Sequence, residues 1–319
     1  NNEINKYELI KFNEDQKYKK KLILDISAYL ITTDGIQKNM ISIFNGKNNT
    51  KTIMHATRFS ELYSVASIMA KKNSQVYLIS HGTHTLQKKD SLDFISNKQM
   101  ALALLISKIK NITHCSQSLF ADDYLSFMNY RYEKIYPLNI VKNNNLNQNK
   151  PKFKILHAST VKPFNLRPYY YESSFEYIKG LKNISRKLAS LSRFIEIVVR
   201  PIYLDEELSY EFLKDELKDY DYILKISENI DFFQDLTTSD CLISLSSTTL
   251  EQAFNMRIPC LSYGFTKYNH FGFYKKYNIN KENKNFEILK SIENKLGRKF
   301  IYSSNPTKNR KNLLDLLLI

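Results

Sequence analysis

The chain of 319 residues carries 47 lysines and arginines against 32 aspartates and glutamates, a formal net charge of +15. Hydrophobic residues make up 43%, which excludes a disordered chain, and the length allows two domains of ordinary size. The positive charge favours acidic partners such as phosphorylated small molecules and anionic lipid headgroups, although an AT-rich genome would enrich lysine as well. No arginine-rich block occurs, so nucleic acid is not an expected partner.

The cysteines predict a reducing compartment. Cys115, Cys241 and Cys260 form no CxxC pair, and their odd number predicts neither a disulfide framework nor a zinc site. The apolar runs around Cys241 and Cys260 predict core positions. Because no signal peptide and no membrane-spanning apolar run is recognisable, we expect a cytoplasmic protein. The chain begins without methionine, at Asn1, and we expect it to be a piece of a longer protein.

Strand-like and helical patterns alternate through the first half of the chain. Short apolar runs with the length and the bounding turns of strands occur at 21–27, 41–44, 51–56, 75–80 and 112–116. Amphipathic periods typical of helices occur at 58–72, 99–110 and 117–129. This alternation predicts a parallel sheet covered by helices.

An asparagine-rich stretch, 142–152, loses all apolar periodicity and predicts a linker. Beyond it, strands are predicted at 154–158, 196–199, 222–226, 241–245 and 260–263. Helices are predicted over 172–192, 208–218, 231–237 and 286–296. The predicted fold class is therefore α/β, with two Rossmann-like domains facing each other across a crevice. We place them at 1–145 and 152–305, followed by a C-terminal helix over 306–319.

The stretch 240–264 reads DCLISLSSTTLEQAFNMRIPCLSYG and predicts a strand, a hydroxyl-rich turn, a helix and a second strand. Its turn carries Ser246, Ser247, Thr248 and Thr249. A helix N-terminus offers unpaired N–H groups and the positive end of the helix dipole, so a phosphate could bind there with these hydroxyls as extra donors. The same residue types are ordinary helix caps, which need no ligand. Both interpretations remain open at this point.

Histidines after predicted strands are candidates for proton transfer. In open parallel sheets ligands bind at the carboxyl ends of the strands, and His81 and His84 follow the strand at 75–80. Histidine can accept a proton near neutral pH, so His81 is the first candidate for a general base and His84 the second. A hydrogen-bonded loop residue is the alternative for either.

Four motifs, in this order along the chain, are similar to a known family. They are LISHGTH at 78–84, KILHAST at 154–160, VVRP at 198–201 and the stretch 240–264. Together they resemble GT-B glycosyltransferases that build bacterial surface carbohydrates such as capsule and lipopolysaccharide, and more distantly CDP-glycerol polymerising transferases. The resemblance implies that the C-terminal domain binds a nucleotide-activated sugar and the N-terminal domain a glycan or glycolipid acceptor.

The resemblance also implies roles for particular residues. It places Ser246, Ser247 and Thr248 against the nucleotide phosphates, with Thr249 beside them. Glu251 lies in the following helix, where the family often contacts ribose or supports the loop. Arg200 stands where relatives frequently carry a histidine before proline, and its guanidinium could neutralise the charge of a leaving nucleotide.

These observations predict an inverting, metal-independent transferase. The sequence contains no HExxH motif, and the pair Asp122 and Asp123 is interpreted as a solvated helix face. No cofactor is expected beyond the sugar nucleotide, which is a substrate. The basic surface would suit peripheral contact with the anionic inner face of a membrane.

Three alternative functions remain open from the sequence. A sugar-nucleotide 2-epimerase is expected to share the two-domain fold, and a CDP-glycerol-type transferase would use related chemistry. A non-catalytic module that binds polyanions is the third, since fold alone does not decide function.

Overall fold

A computed structural model gives the architecture. It describes residues 27, 34–35, 38–39, 51–56, 69, 74–80, 110–127, 129–138, 151–159, 161, 172–201, 208–245, 248–264, 279, 281 and 283–318. Within this part of the chain, no helix is both long and apolar enough to cross a bilayer.

The first sheet has four parallel strands in the order β1-β2-β3-β4. They are β1 (Lys51–Ala56), β2 (Gln75–Ser80), β3 (Ile112–Ser116) and β4 (Tyr132–Lys134). Helix α1 (Leu119–Phe127) connects β3 to β4. The interior strand β3 is buried along its whole length, although three of its residues, Thr113, His114 and Ser116, are polar.

Some predicted elements of the first half lie outside the described residues. These are the strand at 41–44 and, apart from the helical Met69 and the turn residue Lys110, the helices at 58–72 and 99–110. Ser27 is helical, so the strand predicted for 21–27 does not reach that residue, and the remainder of that run is not described either.

The second sheet has five parallel strands in the order β7-β6-β5-β8-β9. They are β5 (Phe153–Ala158), β6 (Ile195–Arg200), β7 (Leu224–Ile226), β8 (Cys241–Ser244) and β9 (Cys260–Ser262). The chain first adds strands on one side of β5 and then continues on the other side with β8. The carboxyl edge between β5 and β8 is therefore the topological switch point, where open parallel sheets bind ligands.

The helices of the second half match their predicted positions to within a few residues. They are α2 (Ser174–Leu188), α3 (Tyr210–Leu217), α4 (Phe232–Thr237), α5 (Thr248–Asn255) and α6 (Phe286–Leu296). A capping box starts α2: the Ser173 hydroxyl accepts from the Glu176 amide, and the Glu176 carboxylate accepts from the Ser173 amide.

The second sheet is covered on both faces. Ile155, Ile197 and Ile243 belong to a cluster with the buried side chains of α2, α3 and α6. The alternate strand residues, such as Leu156 and Leu242, belong to a second cluster with α4 and α5. The strand period of two thus produces three layers, and the confirmed fold class is α/β with parallel sheets. The two facing domains and their boundaries stay predictions.

The C-terminal tail pairs with the first sheet. The Tyr136 amide donates to the Lys311 carbonyl at 2.9 Å, and the Lys311 amide donates to the Lys134 carbonyl at 2.9 Å. Helix α7 (Asp315–Leu318) follows, so the described helix is much shorter than the predicted 306–319. Asn309, which has a left-handed φ of 61°, interrupts the helical course, and the strand-like pairing at Lys311 replaces it.

Candidate binding site at the carboxyl edge of the second sheet

The strand–turn–helix predicted for 240–264 is confirmed at the switch point. Strand β8 ends at Ser244, α5 begins at Thr248, and β9 runs parallel beside β8. The first turn of α5 therefore starts at the carboxyl edge of the sheet, where its N–H groups and positive dipole end favour an anion.

The predicted hydroxyl residues follow β8 in the sequence and extend into the first turn of α5. Ser246 and Ser247 lie outside the described residues, between the end of β8 and the start of α5. Thr248 is the first helical residue, and the structure describes its backbone only. Thr249 is half-buried in the first helical turn. Their contacts with a phosphate stay predictions.

Hydrogen bonds from β9 hold the base of the turn. The Ser262 hydroxyl donates to the Leu245 carbonyl at 2.6 Å, and the Tyr263 amide donates to the Ser244 carbonyl at 3.0 Å. A Cβ on Gly264 would lie 2.1 Å from Leu245 Cδ1, so only glycine fits against the buried Leu245 without displacing it. The turn thus begins from a fixed position.

Arg200 ends β6, at the same edge of the sheet, and forms an ion pair that the sequence did not reveal. Its Nη1 lies 2.6 Å from Oδ2 of Asp235, whose side chain is only 1% exposed. The guanidinium also donates to the carbonyls of Asn229 at 2.8 Å and Ile230 at 2.7 Å. Arg200 therefore braces the loop after β7, and its predicted role at a phosphate stays a prediction.

Asp235 is the centre of this brace. It accepts hydrogen bonds from the Ser227 hydroxyl and, at 2.6 Å, from the side-chain Nδ2 of Asn229, in addition to its ion pair with Arg200. Ile230 at the tip of the loop is 98% exposed. The loop thus presents an apolar side chain at the carboxyl edge, and Arg200 and Asp235 hold its backbone in place.

Glu251 lies in the first turn of α5 and is half-buried. Burial lowers the pKa of Arg310. The negative charges of Asp122 and Glu251 act against this shift, because they stabilise the protonated guanidinium. Arg310 is the tail residue that contacts α1: its Nη2 lies 3.0 Å from Oδ2 of Asp122. The structure thus associates Glu251 with the tail, and its predicted ribose contact stays a prediction.

Asp122 corrects the sequence-based interpretation of the pair 122–123. The residue is 6% exposed and is no solvated face, because it pairs with Arg310 and accepts from the Ser116 hydroxyl. Asp123 is half-buried. Among the residues that the structure describes, no group of three or more histidine, cysteine and acidic residues could hold a metal ion.

The described histidine side chains are buried. His157 in β5 lies with its ring centroid 5.6 Å from that of Tyr177, and His114 stacks on Tyr130 at 5.4 Å. Burial lowers the pKa of His157 to about 4, so its imidazole is neutral at pH 7. The candidate bases His81 and His84 lie outside the described residues.

The cysteines are free and buried, as predicted for Cys241 and Cys260. Burial raises the pKa of Cys115 to about 12 and raises those of the other two well above the ordinary range. None of these thiols forms a thiolate at neutral pH, so all act as apolar core residues.

His157 should make the protein sensitive to acid. A histidine in the unfolded chain has a pKa near 6.5, whereas His157 in the folded protein has a pKa of about 4. Between these two pH values the unfolded chain binds a proton at this residue and the folded protein does not. The contribution of His157 to stability is therefore fully present above pH 6.5 and is lost as the pH falls toward 4. Between pH 7.5 and 5.0 we expect about 2 kcal/mol of loss in urea unfolding from this residue. Over the same pH range the His157→Leu variant should lose about 2 kcal/mol less unfolding free energy than the parent protein. If the unfolding free energies of the two proteins fall equally with pH, the assignment to His157 is wrong.

Comparison with known proteins finds structures but no sequence family. No protein-family model matches the chain, and no curated protein matches it. Similar solved structures include a UDP-GlcNAc 2-epimerase from Neisseria meningitidis bound to UDP-GlcNAc (13% identity, 73% of this chain and 64% of that chain, TM-score 0.41). A second is a glycosyltransferase from Rickettsia africae (13% identity, 73% of this chain and 62% of that chain, TM-score 0.39). A third is a UDP-forming α,α-trehalose-phosphate synthase from Burkholderia vietnamiensis (7% identity, 72% of this chain and 59% of that chain, TM-score 0.39). The chain spans about three-fifths of the length of these proteins. Similarity at this level does not bear on chemistry.

Proposed function

We propose that the chain is a glycosyltransferase that takes a sugar from a nucleotide-activated donor and passes it to a glycan or glycolipid acceptor of the bacterial surface, such as capsule or lipopolysaccharide. The observation that carries this proposal is the hydroxyl-bearing turn between β8 and α5, which lies at the topological switch point of a parallel sheet. The motif resemblance described above supplies the reaction class.

The turn can hold the phosphates of the donor. The first N–H groups of α5 have no partners within the helix, and the hydroxyls of Ser246, Ser247 and Thr248 add neutral donors beside them. The Ser262 hydroxyl holds the carbonyl of Leu245, the residue before the turn. Hydrogen-bond donors at a helix N-terminus would stabilise the negative charge that develops on a leaving nucleotide.

The loop after β7 can hold the base of the nucleotide. It follows a strand of the same sheet, so it lies at the same edge as the turn. Arg200 and Asp235 keep it in place, and the exposed Ile230 can cover the apolar face of a base. Arg200 has this bracing role whether or not it also approaches a phosphate.

Transfer requires displacement at the anomeric carbon of the sugar. A base takes the proton of the acceptor hydroxyl while the nucleotide leaves with the electron pair of the broken bond. In this proposal His81 is that base and His84 the alternative, both after β2 of the first sheet. Direct attack by the acceptor would invert the anomeric configuration, and no metal is required if helix N–H groups neutralise the leaving group.

Nucleotide binding tests the proposal directly. In thermal unfolding, at least one of UDP, CDP, GDP and CMP should raise the melting temperature, because a ligand that binds only the folded state stabilises it. Ser247→Ala combined with Thr248→Ala should weaken the binding of that nucleotide by about 1 to 3 kcal/mol, because two hydroxyl contacts are lost.

The matched control is Ser303→Ala with Ser304→Ala, an adjacent hydroxyl pair in the tail that is not at the carboxyl edge. It should leave nucleotide affinity unchanged. If no nucleotide stabilises the protein at millimolar concentration, the proposal fails. If the turn variant loses stability but keeps its nucleotide affinity, the hydroxyls are helix caps only. If the protein epimerises a sugar nucleotide when no acceptor is present, its function is that of an epimerase and not of a transferase.

A further inference from the structure

The outer surface of α2 and α6 is strongly basic. The two helices are neighbours on one face of the second sheet. Over residues 174–194 and 286–299, Glu287 is the single exposed acidic residue. The exposed cations of these segments define the basic face: Lys179, Arg186, Lys187, Arg193, Lys295, Arg298 and Lys299.

The adjoining helix α3 shows that this charge is segregated. It covers the same face of the sheet and, with the turn that follows it, exposes Glu211, Asp215, Asp219 and Asp221. The exposed cations of this segment are Lys214 and Lys218. A lysine-rich composition would by itself distribute cations over every helix. The concentration on α2 and α6 therefore needs a separate explanation.

Exposed phenylalanines flank the basic face. Phe175 at the start of α2 is 74% exposed, and Phe194 after its end is 62% exposed. The 15 residues of α2 separate them by about 20 Å, since a helix rises about 1.5 Å per residue. Two large apolar side chains that remain in water on a cationic surface are typical of contact with a membrane interface.

We propose that the basic face docks on the surface of an anionic lipid bilayer. The lysines and arginines would contact lipid phosphates, and Phe175 and Phe194 would enter the interface at two separate points. A bilayer fits better than single-stranded nucleic acid, because rings so far apart cannot stack on successive bases. This inference does not rest on the proposed transferase activity.

Vesicle sedimentation tests the electrostatic part. The protein should bind vesicles of phosphatidylcholine mixed with phosphatidylglycerol, should bind phosphatidylcholine alone much more weakly, and should dissociate as salt is raised. Arg193→Gln with Lys295→Gln should weaken binding by about 10- to 30-fold, because two cations near an anionic surface are lost. The control Lys214→Gln with Lys218→Gln removes the same charge from α3 and should change binding less than about twofold.

The aromatic part separates a bilayer from other polyanions. Phe175→Ser with Phe194→Ser should weaken vesicle binding and leave heparin binding unchanged, whereas Phe212→Ser with Tyr222→Ser, on the α3 side, should affect neither. Melting temperatures establish that each variant folds. The inference is overturned if mixed vesicles are not bound, if the α3 charge variant loses as much affinity as the basic-face variant, or if the phenylalanine pair is without effect on vesicles.

Discussion

Arg310→Met is expected to lower the free energy of unfolding by about 3 to 5 kcal/mol, because it removes the buried counter-charge of the Asp122 carboxylate and leaves Lys134, which is 45% exposed and 3.6 Å away, as the cation near it. The side chain of Arg310 is fully buried, and its Nη1 also donates to the carbonyl of Ser116 at 2.8 Å and to that of Ile135 at 3.3 Å. Those carbonyls belong to the last residue of β3 and to the residue that follows β4. One side chain of the tail therefore satisfies several polar groups of the first sheet at once.

Two variants control this experiment in urea denaturation. Lys311→Met removes an adjacent, exposed cation that lies 3.1 Å from Glu133, and it should cost less than about 1 kcal/mol. Arg310→Met with Asp122→Leu removes both buried charges and should recover much of the loss. If Arg310→Met costs no more than Lys311→Met, the tail does not hold the first sheet in the way that these contacts indicate.

Asp235→Ala is expected to have the second large effect. The carboxylate is the shared acceptor for Arg200, Ser227 and Asn229, and its removal leaves the half-buried guanidinium of Arg200 without a counter-charge. We expect a loss of about 3 kcal/mol in unfolding free energy. Amides of residues 228–231 should exchange hydrogen faster than in the parent protein, since the brace below the loop is gone.

Asp231→Ala is the matched control on the same helix. Asp231 caps α4 by accepting from the Phe233 amide at 3.1 Å, and its loss should cost about 1 kcal/mol. An Asp235→Ala variant no less stable than Asp231→Ala would contradict the bracing role. Combining Arg200→Ala with Asp235→Ala should cost clearly less than the sum of the single variants, because both remove the same ion pair.

The same variants separate two roles of Arg200. If the residue only braces the loop, Arg200→Ala loses stability and lowers the nucleotide affinity no more than Asp235→Ala does. If its guanidinium also contacts a phosphate, Arg200→Ala lowers the nucleotide affinity more than Asp235→Ala does. The structure shows the brace, and the nucleotide titration decides the rest.

The helices and strands of the second sheet could be predicted because each depends on local pattern. The apolar run at 241–245, the hydroxyls after it and the period of α5 all lie within one short segment, so the strand–turn–helix was visible without tertiary information. Asp122 was misinterpreted because its partner is 188 residues away. An acidic pair on a helix has the same sequence pattern whether it faces water or a buried arginine.

The sequence by itself determined the alternation of strands and helices, the position of the turn between β8 and α5 and the burial of Cys241 and Cys260, since short-range periodicity and turn residues decide these features. Only the tertiary structure decided the strand order that places this turn at a switch point, the partner of Arg200 and the contact of Arg310 with the first sheet. Strand order and buried ion pairs depend on which distant segments meet, and a charged side chain has no periodic signal that reveals its partner.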